Sequence, residues 1–339
     1  MKIRLENITK KYGDFVALDN VSFSCEDGEF FSVLGKSGSG KTTLIRIIAG
    51  LEKPDSGKVF FNDQDIAILP PHKRYAVMVF QNYALFPHLD VFENVAFGLR
   101  ERRMPSAEIQ KRVSETLRTL NIEDKIRREV SELSGGEQQR VALARALALD
   151  SRVILFDEPL SNLDVVLRRE LQKELKALQR ETGRNFIYIT HDQEEALMLS
   201  DKLMVLERGS VRELGTPVEV YESPKSLFGA SFIGLTNVLK FERAGKNSIK
   251  TETGLTLSLE TEPTGDEFDV VIRAEHIKPS CGNAEKNAFH AKIKASYFKG
   301  SFFEYAIDVQ GIRMTMIATE HLKKEVQICI KKFFIFSDE

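Results

Sequence analysis

The sequence is short of everything that would mark a membrane-spanning, disulfide-bonded or broadly nucleic-acid-binding chain. No run approaches the roughly 18 to 20 apolar residues that cross a bilayer, and the opening MKIRLENITK carries charge where a signal peptide has its apolar core. The expectation is a cytoplasmic chain that reaches a membrane only through a partner. Its three cysteines, Cys25, Cys281 and Cys329, lie far apart and show no metal-ligand spacing; free thiols in a reducing compartment fit them better than a disulfide or zinc framework. Charge of one sign is missing too. Forty-eight basic residues against 50 acidic ones leave a net charge of −2, so no overall basic field argues for nucleic acid, although local patches stay open. What remains is 339 residues, 42% of them hydrophobic, enough for about two globular cores.

The most informative stretch is residues 30–48, FFSVLGKSGSGKTTLIRII. An apolar strand runs into a helix through a G-x-x-x-x-G-K-[ST] loop made of Gly35, Lys36, Ser37, Gly38, Ser39, Gly40, Lys41 and Thr42, with Thr43 following. Gly38 lets the backbone turn its amides toward one centre, where a nucleotide's phosphates would lie. Lys41 would reach the β- and γ-phosphates, and Thr42 would ligate Mg²⁺ at a helix N-terminus whose free N–H groups favour an anion. A strand before and a helix after are the context that separates this motif from a chance Gly/Ser-rich loop. The expected ligands are ATP and Mg²⁺, yet a phosphate loop does not say what the nucleotide is used for.

The rest of the chain falls in order around that loop. Residues 2–27 read as short strands of an antiparallel sheet; Tyr12, just before Gly13, is either a half-buried aromatic or a platform for adenine. The run YAVMVFQ is a buried strand that ends in Gln81. Strand ends of this kind are where open α/β sheets place ligands, so Gln81 is a candidate to touch Mg²⁺ or the attacking water, with a plain loop glutamine as the alternative. Residues 82–133 interrupt the strand and helix alternation with a helical insertion, in which Ile109, Val113, Leu117 and Leu120 recur at helical spacing. The preceding YALFPHLDVFENVAFGL is dense in aromatics and reads as a small core or as a docking surface for another protein.

In LSGGEQQR, Ser134, Gly135, Gly136, Glu137 and Gln138 open a helix, which is either simply well capped or a second anion-binding end. RVILFDEP ends an apolar strand in two carboxylates: Asp157 to hold Mg²⁺ through water, Glu158 to orient or deprotonate the attacking water. Adjacent residues on a strand point to opposite sides, so the two do not share one role. Asp164 caps the next helix, whose Leu167, Leu171, Leu175 and Leu178 form a buried face. The strand NFIYIT then delivers His191 to the same sheet edge, in reach of a γ-phosphate.

In this order the motifs resemble those of the ATP-binding cassette family, in particular the ATPase subunits of bacterial importers served by a separate substrate-binding protein, over nearly the whole length. The resemblance implies that Tyr12 is the adenine-stacking A-loop aromatic, residues 35–42 the Walker A loop and Gln81 the Q-loop glutamine. It makes LSGGEQ the family signature, Asp157 and Glu158 the Walker B pair, SNLD the D-loop ending in Asp164, and His191 the switch histidine. It further implies a head-to-tail dimer in which the signature of one copy caps the ATP held by the other, and a groove at Tyr83, Leu85 and Phe86 that receives a helix of an integral-membrane permease. The protein would then be peripheral at the cytoplasmic face of the inner membrane, with no nucleic-acid partner. Two positions depart from the family pattern: Lys36 stands where proline is usual and Asn162 where alanine is common. Lys36 adds positive charge near the phosphates, so slightly higher nucleotide affinity is expected.

The implied fold is an α/β P-loop ATPase over residues 1–234, with a RecA-like core, a helical insertion at about 82–133 and an antiparallel β subdomain. Residues 235–339, with short alternating runs such as LTLSLE, FFEYAIDV and VQICIK, read as a small all-β barrel. IRAEHI resembles the oligosaccharide-binding-like (TOBE) regulatory tail of these importers. Such barrels also bind nucleic acid, but no stripe of aromatic and basic residues marks this one. The stretches LPPHKR and YESPKSLFGASFIG look most like the polyamine and ferric-iron branches and lean toward spermidine/putrescine, with sugars, sulfate and molybdate or tungstate open. A non-transport cassette ATPase acting on nucleic acid or ribosomes would be expected to carry two cassettes or a long coiled-coil insertion, and this chain has neither.

Overall fold

The structure, a computed structural model, describes residues 1–161, 163–279 and 286–337; the expectations for Asn162 and Cys281 lie outside them. The chain divides into two compact units, Met1–Val218 and Glu219–Glu339, whereas the texture of the sequence places the division after residue 234.

The first unit runs β1 (Ile3–Tyr12), β2 (Phe15–Cys25), β3 (Phe30–Leu34), α1 (Lys41–Ala49), β4 (Ser56–Phe61), β5 (Gln64–Asp65), β6 (Ala76–Val79), α2 (Val91–Glu101), α3 (Ser106–Thr119), α4 (Gly135–Ala148), β7 (Val153–Asp157), α5 (Val165–Thr182), β8 (Asn185–Thr190), α6 (Gln193–Leu199), β9 (Lys202–Glu207) and β10 (Ser210–Gly215). Its strands form two sheets. The smaller, in the order β2-β1-β4-β5, is antiparallel. The larger, β10-β9-β3-β8-β7-β6, is parallel except where β10 turns back on β9.

Every residue of β3 and β8 is buried, as expected of parallel strands covered on both faces. The period of two sorts the side chains of β7 and β8 cleanly. Val153, Leu155, Ile187 and Ile189 join the core shared with α1 and the antiparallel sheet, while Ile154, Phe156, Phe186 and Tyr188 join the core of the helical side. That second core also takes Ile109, Val113, Leu117 and Leu120, the helical stripe of the insertion.

The aromatic-rich stretch before α2 is bound to the helices by polar groups. The buried Asn94 accepts from the Phe86 N–H at 2.8 Å and donates to the carbonyls of Phe86, Leu89 and Asp90 at 3.1, 3.1 and 3.0 Å, while Arg145 donates to the carbonyls of Ala84 and Tyr83 at 2.7 and 2.9 Å. Tyr83 is core; Phe97, whose ring centre lies 4.5 Å from that of Phe86, is exposed.

The second unit holds two five-stranded antiparallel sheets over one core that includes Phe241, Ile272, Tyr305 and Ile328. Within it Arg273 is fully buried, its guanidinium 3.6 Å from the centre of the Tyr221 ring, and the Tyr221 hydroxyl donates to Glu275. Among the described residues no helix is long and apolar enough to cross a membrane.

Candidate functional site

The loops after β3, β6, β7 and β8 leave the carboxyl edge of one parallel sheet, where such folds bind ligands. Two glycines shape the first loop. A Cβ on Gly35 would sit 2.4 Å from the Leu206 carbonyl oxygen, and one on Gly40, whose φ is +105°, would sit 2.3 Å from that of Ala17; backbone cannot yield as a flexible side chain can, so only glycine fits. The loop closes on its own lysine. Buried Lys41 donates from Nζ to the carbonyls of Gly35 and Lys36 at 2.9 and 3.0 Å and lies 3.8 Å from Glu158 Oε1. Burial lowers the Lys41 pKa, and the charges of Glu158 and Asp157 oppose that shift.

At the end of β7, Asp157 and Glu158 do point to different partners. Asp157 Oδ1 accepts from the Thr42 hydroxyl at 3.4 Å; its carboxyl is pushed up, first by burial and next by the neighbouring Glu158 charge. Glu158 has a φ of +47°, a left-handed conformation that costs a non-glycine residue energy and recurs at functional positions. Its N–H donates to the Ile189 carbonyl at 3.1 Å, and its Oε2 lies 2.8 Å from His191 Nδ1. Gln81 joins by a relay: its amide donates to the Ser161 hydroxyl at 3.2 Å, which donates to the Glu158 carbonyl at 2.9 Å.

Tyr12, Phe15 and Ala17 face Ser37, Gly38, Ser39, Gly40, Lys41, Thr42, Thr43 and Glu158 across a cleft of about 200 Å³. Phe15 is absent from the residues the sequence singles out, and Ser161 enters them only as the first residue of SNLD. Phe15 was detectable in principle, because the two-residue turn at Gly13 and Asp14 pairs it with Tyr12. Nothing local in SNLD marks the bond of Ser161 to Gln81.

Residues 134–138 and Asp164 are not among the residues lining this cleft. Ser134 and Glu137 form a reciprocal cap on α4: the Ser134 hydroxyl accepts from the Glu137 N–H at 3.4 Å, and Glu137 Oε2 accepts from the Ser134 N–H at 2.8 Å. Gln138 donates to the carbonyls of Val130 and Leu133 at 3.0 and 3.2 Å. A Cβ on Gly136 would sit 2.6 Å from Leu167 Cδ2, so close packing of α4 against Leu167 favours glycine there. Asp164 caps α5, accepting from the N–H groups of Val166 and Leu167 at 3.0 Å. Ser134 and Gly135 nonetheless remain exposed, so the cap presents a surface.

No group of three or more His, Cys, Asp and Glu residues suited to a metal occurs among the described residues. The donors at hand are the Thr42 hydroxyl and the Asp157 carboxylate, hard oxygens that suit Mg²⁺, a cation that takes its other ligands from water and phosphate. A carboxyl pushed up by burial beside a second carboxylate is also a place where a cation is favoured.

Comparison with known proteins gives a consistent picture. The family model described as ABC transporter matches residues 18–161. The spermidine/putrescine import ATP-binding protein PotA of Roseobacter denitrificans is 43% identical over 326 residues, 94% of this chain and 90% of that protein. Its namesake from Rubrobacter xylanophilus is 45% identical over 317 residues, 90% of this chain and 83% of the other. Among solved structures, cbiO1 from Clostridium perfringens, part of the ABC transporter complex cbiONQ, superposes with a TM-score of 0.61 at 32% identity, covering 65% of this chain and 90% of that one. The ATP-binding cassette MJ0796, a dimer in a post-hydrolysis state bound to ADP and Pi, gives 0.57 at 34% identity, over 63% of this chain and 98% of that one.

Proposed function

The chain belongs to the ABC transporter family as an ATP-hydrolysing subunit, and from that premise we propose that it drives polyamine import, of spermidine or putrescine, through a membrane permease. The observation that carries the ATPase reading is the single sheet edge on which Lys41, Asp157, Glu158 and His191 meet. The polyamine reading rests on relatives that share 40 to 45% of residues over 90% or more of the chain and bear that name.

In this reading Tyr12, with Phe15 beside it, stacks on adenine. The loop amides and Lys41 hold the β- and γ-phosphates, for which a lysine already desolvated and fixed by two carbonyls is well prepared. Thr42, Asp157 and Gln81 would hold Mg²⁺, which when bound neutralises charge on the phosphates. Glu158 orients the attacking water and takes its proton, and His191, held by Glu158, faces the γ-phosphate. Ser134, Gly135, Gly136, Glu137, Gln138 and Asp164 serve the ATP of a second copy packed head to tail, which gives the exposed α4 cap its use. Closure of that dimer is the mechanical stroke.

The permease docks at the surface around Leu85, Phe86 and Phe97, placing the subunit at the cytoplasmic face of the cell membrane, while a substrate-binding protein meets the permease from the other side. The second unit takes a regulatory or dimer-stabilising role.

Uptake of spermidine, putrescine, Fe³⁺, a sugar and an oxyanion, in cells with the subunit or with its Lys41→Ala variant, tests this reading. Loss of polyamine uptake alone is the expected result; loss of another solute alone reassigns the cargo. Recovery of ribosomes or DNA in place of an integral-membrane permease when the protein is isolated from membranes would sink the importer itself.

A further inference from the structure

Behind the edge that carries His191 lies a buried carboxylate with no part in the roles above. Glu195 is 4% exposed. Its Oε2 accepts from the Tyr188 hydroxyl at 3.0 Å and the Thr190 hydroxyl at 2.6 Å, and its Oε1 from the Gln172 amide at 3.4 Å. All three donors are themselves buried. An ionised group in such a place is costly, and an apolar side chain of similar volume would fill the space at less expense; three converging donors argue instead for a fixed geometry.

Thr190 is what that geometry fixes. With its proton directed at Glu195, its Oγ1 accepts from the Asp192 N–H at 2.9 Å, and Asp192 Oδ1 in turn accepts from the Glu195 N–H at 3.1 Å. Thr190 and Asp192 flank His191 on both sides. The His191 side chain is 58% exposed and meets Glu158 at 2.8 Å, so its aim depends on the backbone that carries it.

We propose that Glu195 is a positioning residue of the ATPase reaction: through Thr190 and Asp192 it sets the backbone of His191 and thereby holds the imidazole against Glu158. This rests on the reading of His191 as the group that faces the γ-phosphate. Gln172 on α5 and Tyr188 on β8 anchor the carboxylate from two elements, so the device ties the loop after β8 to the helix that follows the Asp164 turn.

The test uses the full-length protein and steady-state ATP hydrolysis, with melting temperature as the control for folding. Glu195→Leu and Thr190→Val, which remove the acceptor and the hydroxyl, lower kcat about tenfold with KM for ATP changed by less than about twofold. Glu195→Gln and Thr190→Ser, which keep an acceptor and a hydroxyl, recover most of the rate. In a His191→Ala background, Glu195→Leu has no further effect on kcat, because a residue acting through His191 has nothing left to act on. A parental kcat in folded Glu195→Leu, or losses that multiply with that of His191→Ala, overturns the proposal. Should Glu195→Leu fail to fold, the Thr190→Val and Thr190→Ser pair in the same two backgrounds gives the same decision. Parental turnover by His191→Ala alone would remove the role of His191, a failure distinct from that of Glu195.

Discussion

Glu158, just past β7, and His191, just past β8, are joined at 2.8 Å between Oε2 and Nδ1, so two neighbouring strand ends act as one unit at the sheet edge. The Glu158 main chain is also tied to β8 through its N–H on the Ile189 carbonyl at 3.1 Å. Glutamine at position 158 keeps the size and the hydrogen bond to the imidazole while removing the base. Glu158→Gln should therefore bind ATP as the parent does, lose kcat by at least about 100-fold, and accumulate an ATP-bound dimer in light scattering. Hydrolysis at the parental rate would mean that another group positions the water.

Gly40 offers a steric test of the phosphate loop. Alanine there meets the Ala17 carbonyl at 2.3 Å and must hold a φ near +105°, and neither demand can be relieved without moving β2 or the start of α1. Gly40→Ala should lower ATP affinity by more than about tenfold and destabilise the protein by about 1–3 kcal/mol, as read by nucleotide titration and denaturant melts. Gly38, whose φ is +76° but whose Cβ would meet nothing within 4 Å, should tolerate alanine better in the same assays.

Asp157 supplies a pH dependence whose sign follows from its environment. Burial and the Glu158 charge raise its carboxyl above the ordinary 3.8, so the folded chain holds that proton more tightly than the unfolded chain. The stability it contributes is complete below 3.8 and is lost as pH rises through the raised folded value. Above that value the charged Asp157 destabilises the fold, and Asp157→Asn should melt higher than the parent without nucleotide. The gain should shrink as pH falls toward 3.8. Adding Mg²⁺ and ATP should reverse the order, because only the parent gains the binding free energy of the cation site.

Much of this was readable in the sequence, where the physics is local. The continuous apolar runs of β3, β7 and β8 require a sheet covered on both faces, and the turn chemistry at Gly40, Ser134 and Asp164 names three helix starts. What was not readable depends on contacts between distant segments. Ser161 reaches Gln81 and the Glu158 carbonyl only because two loops come together. Glu195 sits in QEEAL beside Glu194, and only packing against Tyr188 and Gln172 turns one glutamate inward and leaves the other outside. Arg273 is similar, an arginine in IRAEHI that the sequence would place in solvent and the fold buries under Tyr221.

Lys36 tests whether the unusual charge in the loop has a use. Its carbonyl accepts from Lys41 at 3.0 Å, a bond that proline at position 36 would keep, while its side chain is exposed. Exposed charge acts weakly on a bound anion, so Lys36→Pro should weaken ATP binding by only about twofold, and less at high salt. Equal affinity in calorimetry at low salt would show that the charge does nothing for the nucleotide.

The exposed cap of α4 gives the most direct test of how two copies meet. Lys41 lies in the cleft with Tyr12 and Glu158, whereas Ser134 does not line it; in the proposed head-to-tail pair each nucleotide would take Lys41 from one copy and Ser134 from the other. Lys41→Ala removes one half-site, and Ser134→Arg places a bulky cation where the other half-site must close; neither variant alone should form an ATP-bound dimer. Mixed in equal amounts, they can pair so that both defects fall at one nucleotide and the second site is intact. About half of randomly formed dimers would be mixed, and cross-linking or light scattering with ATP should recover a mixed dimer that neither parent variant forms. Failure to form any such dimer, with both subunits folded, would count against the head-to-tail arrangement.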